Sequence, residues 1–119
     1  MRILTALPLA LTLSAAPALA DPAEIVDATA RATGAGWQFD VTIAHGDTGW
    51  EDYADGWRVE LADGTILGTR VLVHPHVEEQ PFTRSLREVV IPEGVSEVHI
   101  RAATNVTGWA TTRRALTLN

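Results

Sequence analysis

Along most of the chain, apolar and polar residues alternate with a period of two. Trp37, Phe39, Val41 and Ile43 fall on one face of residues 36–45, with Gln38, Asp40 and Thr42 on the other. This is the signature of a half-buried strand. Residues 56–61 repeat it, with Trp57, Val59 and Leu61 set against Arg58 and Glu60. Ala62-Asp63-Gly64-Thr65 then reads as a hairpin turn leading into a strand over residues 65–74. A further strand runs over residues 82–91, bounded by Pro81 and Pro92. Residues 95–104 alternate again, with Val98, Ile100 and Ala102 facing away from Glu97, His99 and Arg101. Residues 23–32 and 113–118 read as the first and last strands. No window shows the three-to-four spacing of an amphipathic helix. The expectation is an all-β, seven-stranded antiparallel two-sheet sandwich.

The first twenty residues stand outside this pattern. Arg2 precedes an apolar stretch over residues 3–13, and Ala18-Leu19-Ala20 is a small-x-small cleavage signal. The segment reads as a cleaved signal peptide, residues 1–20, before one domain over residues 21–119. It is too short and too interrupted by proline to span a bilayer. The mature chain is therefore expected to be exported, to a periplasm or the extracellular space, with no membrane span of its own.

Charge and cysteine usage narrow the function classes. Nine Lys and Arg residues against fifteen Asp and Glu residues leave a formal net charge of −6. Removing Arg2 with the leader makes it −7. An acidic chain repels phosphate backbones, so nucleic acid is excluded as a partner. With no cysteine there is no disulfide framework, thiolate metal site or cysteine nucleophile. Stability must come from the core, which is feasible for about 100 residues.

Trp57 sits on the third strand, where immunoglobulin-type sandwiches bury a tryptophan. On this architecture, residues 23–118 resemble an immunoglobulin-like or fibronectin type III-like module. The resemblance lacks the cysteine pair and a tyrosine on the sixth strand. The middle of the chain also resembles small secreted bacterial proteins of unassigned function.

Alternating strand direction divides the connections between two ends. One end holds short turns around Gly34, Gly64 and Gly94. The other holds three long loops, residues 46–55, 75–81 and 105–112, and the strand-end residues His45 and His74 point to it. Function on a rigid sandwich concentrates in such loops. Two constellations lie there. His74-Pro75-His76, with Glu78 and Glu79 just beyond and His45 at the same end, offers nitrogen and oxygen donors suited to zinc or copper. Trp50, Tyr53 and Trp109, with Glu51 and Asp52, form an aromatic and acidic surface suited to a protein or glycan partner. Trp50 and Trp109 could instead serve as lids over the core. Asp47, Glu51, Asp52 and Asp55 are oxygen ligands in type, but their spacing does not match a calcium loop. Ser85 and Ser96 lie away from the rich loops and in no nucleophile elbow. The sequence thus points to a non-enzymatic binding module whose ligand is a metal ion, a protein or a glycan.

Overall fold

Among the described residues, strands are the only regular elements. The structure, a computed structural model, describes residues 20–119 together with residues 3, 5, 6 and 8. Apart from those few positions, the leader read over residues 1–20 lies outside the described residues. Eight strands run in order: β1 (Glu24–Thr33), β2 (Gly36–Ala44), β3 (Ala54–Glu60), β4 (Ile66–Val71), β5 (Phe82–Val89), β6 (Glu97–Thr104), β7 (Gly108–Trp109) and β8 (Arg114–Thr117). Among the described residues no helix is long and apolar enough to cross a membrane.

The strands form two antiparallel sheets. The smaller has the order β1-β2-β5; the larger has the order β4-β3-β6, with β7 and β8 both pairing with β6. Phe39, Val41 and Ile43 from β2 meet Trp57 and Val59 from β3 and Val98 and Ile100 from β6 in one apolar core. All seven side chains are fully buried, as the alternation predicts. On β1, Ile25 and Ala28 both pack toward the core despite their odd spacing. A bulge between Ile25 and Asp27 absorbs the extra residue and leaves Val26 exposed. Gly68 lets the edges of the two sheets approach, since a Cβ there would lie 3.0 Å from Leu86 Cδ2.

The structure corrects the expected count of seven strands. The last expected strand, residues 113–118, is β8, and an additional short strand, β7, forms inside the loop expected over residues 105–112; the two pair with opposite halves of β6. Between them the chain is held by Ala110, whose N–H donates to the Ala102 carbonyl at 2.8 Å. The Ala110 carbonyl in turn accepts from Arg101 Nη1 at 2.5 Å.

Glu60 is a second correction. Alternation puts it on the outer face, opposite Trp57 and Val59, where a solvated side chain is expected. It is instead fully buried. Its carboxylate accepts from Arg58 Nε at 2.6 Å, Arg101 Nε at 2.7 Å and Arg113 Nη1 at 3.2 Å. Hydrogen bonds from these arginines, Arg101 first, hold its carboxyl down at about 2 against the desolvation that opposes them. Three arginine stems therefore roof a carboxylate that lies outside the core proper.

Candidate functional site

The three long loops meet at one end of the molecule, and three residues tie them together. Asp47 lies in the β2–β3 loop with a fully buried side chain. Its Oδ1 accepts from His45 Nδ1 at 2.6 Å and from the Ala54 backbone N–H at 3.0 Å. Its Oδ2 accepts from the backbone N–H of His76, in the β4–β5 loop, at 2.8 Å. Gln80 reinforces the same junction: its Oε1 accepts from the His45 N–H at 3.0 Å, and its Nε2 donates to the His76 carbonyl at 2.9 Å. Asn105, in the β6–β7 loop, performs the equivalent task on the other side. Its Oδ1 accepts from the Tyr53 N–H at 2.9 Å, and its Nδ2 donates to the Trp50 carbonyl at 2.8 Å. Buried backbone groups require such partners. These three side chains replace the ladder hydrogen bonds that loops lack.

The histidines become part of this scaffold. His45 Nδ1 faces the Asp47 carboxylate, and its Nε2 faces the Asp21 carbonyl at 3.0 Å. Both ring nitrogens thus face protein oxygens that accept hydrogen bonds. His76 is buried and stacks on Phe82 with ring centroids 3.9 Å apart. Arg84 Nη2 donates to His76 Nε2 at 2.8 Å. A guanidinium only donates, so the His76 proton resides on Nδ1, which is buried without a partner. Burial first, then the Arg84 charge, push the His76 pKa below its usual value. His74 is exposed, with its ring 4.6 Å from that of His76. Its Nδ1 donates to the Pro75 carbonyl at 3.2 Å. Glu78 is exposed, and Glu79 lies 3.7 Å from Arg84. The structure thus brings His74 and His76 together, while His45 and Glu79 face other partners. Among the described residues no three of His, Asp and Glu are grouped to hold a metal ion.

The aromatic residues are placed differently. Trp50 is 65% exposed and meets Tyr53 edge-on, with centroids 5.6 Å apart. Trp109 is 39% exposed on the outer face of the larger sheet. The Arg58 guanidinium lies 4.0 Å from the Trp109 ring centroid. Val106, between them in sequence, is 51% exposed, and Val71, Val73 and Val77 are exposed as well. Glu51 accepts from Thr48 Oγ1 at 3.1 Å. Asp52 Oδ1 is buried without a hydrogen bond, 3.7 Å from His45 Nε2. Sequence reasoning missed the bracing roles of Asp47, Gln80 and Asn105. The only signal for them was their position in polar loops, because their partners are backbone groups in other segments.

No family model matches the chain, and no solved structure matches it. The chain is similar to a protein of Halomicrobium mukohataei that bears the name "Putative lipoprotein", with 40% identity over 88 residues. The match covers 73% of this chain and 43% of that protein, so the chain spans less than half the length of this relative.

Proposed function

We propose that the protein is a non-enzymatic binding module that uses the aromatic surface at its long-loop end to hold a protein partner. One observation carries the reading: the indoles at that end are exposed, while His45 and His76 there are buried as scaffold. A lid tryptophan would be covered. Trp50 instead stands in solvent on backbone fixed by Asn105, which lowers the ordering cost of binding. Aromatic anchors on rigid supports, rimmed by the carboxylates of Glu51 and Asp52, match the make-up of interface hot spots.

The strand order supports an immunoglobulin-like reading of the fold. β1-β2-β5 and β3-β6-β8 correspond to the A-B-E and C-F-G groupings of such sandwiches. The fourth strand pairs with β3 rather than β5, which departs from the constant-type arrangement. Export to a periplasm or the extracellular space is the matching location. The leader pattern supports it, as does the lipoprotein name of the relative.

The test replaces Val106 with a photo-reactive residue in the full chain, in cells that make the protein. The control places the same residue at Ala62, at the opposite end. Illumination is expected to give a discrete adduct from position 106 and none from 62. Equal adducts from both positions, or none from 106, overturn the reading.

A further inference from the structure

The outer face of the larger sheet carries a groove that none of the loop residues above forms alone. Val71, Gly56, Ala103 and Trp109 lie in register across β4, β3, β6 and β7. Two tall side chains therefore flank two positions that have almost none. The space between them is about 170 Å³. Gly56 keeps its floor low, because a Cβ there would lie 3.6 Å from Trp109 Cη2 and 3.3 Å from the Arg70 carbonyl. Asp55 and Thr104 line the groove too. Asp55 occupies a bulge in the β3–β6 pairing, between Ala54 and Gly56. Bulges re-aim side chains, often beside functional sites.

The polar content of this groove is lopsided. Among the described residues, no arginine or histidine lines it. Arg58 touches the Trp109 ring but is not among the lining residues, and its Nε is bonded to Glu60. Burial raises the Asp55 pKa, and only its own backbone N–H opposes that rise. A half-buried carboxylate with no counter-ion among the described residues, beside an indole and a valine, is complementary to a cation on an alkyl stem. The net charge of −6 steers basic partners toward the molecule in the same sense.

We infer that this groove is the socket for a lysine or arginine side chain of the partner protein, with its stem between Val71 and Trp109 and its charged head at Asp55. The inference rests on the reading of this end as a partner-binding surface, and it names the chemistry of the partner.

The test is an NMR titration of the full isotope-labelled chain with N-acetyl-lysine methylamide and N-acetyl-arginine methylamide. The controls are the norleucine analogue and methyl glucoside. The cationic probes are expected to give saturable shifts at the amides of Gly56, Ala103 and Gly108 and at the Trp109 indole. Asp55→Asn is expected to weaken them by about fivefold or more. Raising the salt weakens the wild-type titration in the same direction, a readout that does not depend on how the variant folds. Equal shifts with norleucine or the glucoside, binding that survives Asp55→Asn and high salt, or no saturable shift each overturn the inference. Absence of a position-106 adduct in the chain with Trp50 intact, beside a saturable cation titration, would contradict the partner reading and leave the cation-binding groove standing.

Discussion

Two buried carboxylates organise this molecule, and they do so by opposite means. Glu60, on the outer sheet face, is held by three arginines whose side chains remain 19–23% exposed. Asp47, at the loop end, is held by one imidazole and two backbone N–H groups that cannot move without moving the chain. The arginines can turn to water if their anion is lost; the backbone donors at Asp47 cannot. A buried charge with flexible partners secures a surface, whereas one with backbone partners dictates the path of the loops. The binding surface is attached to the second kind.

The largest expected effect follows from that contrast. Asp47→Asn keeps the size and shape of the side chain but points an NH2 at a backbone N–H. A buried donor is left facing a donor, at a cost of about 3 kcal/mol. For a domain of this size that lowers the thermal midpoint by roughly 10 °C or more. The loss is expected to be accompanied by faster amide exchange at His76 and Ala54, which hydrogen-exchange NMR reads directly.

Glu60→Gln is expected to cost less, about 2 kcal/mol, because the freed guanidinium groups relax into solvent. Its pH dependence is distinctive. The Glu60 carboxyl is held down at about 2 against an ordinary value of 4.5. The folded state thus binds its proton less readily than the unfolded chain does. Its stabilising contribution is complete above about pH 5 and is lost as pH falls toward about 2. Wild-type stability is expected to drop through that window, and Glu60→Gln to flatten the acid limb of an unfolding-midpoint profile. An unchanged limb would assign acid sensitivity to other carboxylates.

The contrast also explains what could be read before the fold was known. The core strands were legible, since Phe39, Val41, Ile43, Trp57 and Val59 follow a period of two that burial respects. Glu60 broke that rule because its outer face is roofed by Arg101 and Arg113, which are 41 and 53 residues away in sequence. No local pattern announces such a roof. β7 was hidden because two residues inside a loop carry no periodicity. At the loop end, Asp47, Glu51, Asp52 and Asp55 look alike as sequence. Asp47 became the buried brace because His76, 29 residues on, returns its N–H to it. His74-Pro75-His76 was visible as a pair, and the rings do lie side by side. The Arg84 bond that orients His76 depends on how β5 packs against the loop. The groove at Asp55 needed the register of four strands and could not be read from one segment.

The central claim is that the exposed indole at the loop end serves a partner and not the core. It is tested most directly by Trp50→Ala in the full chain, with two readouts on one preparation. The account predicts a thermal midpoint within about 2 °C of wild type, as for a surface substitution, together with loss of the position-106 photo-adduct. A midpoint that falls by roughly 10 °C while the adduct persists would contradict it and make Trp50 a lid.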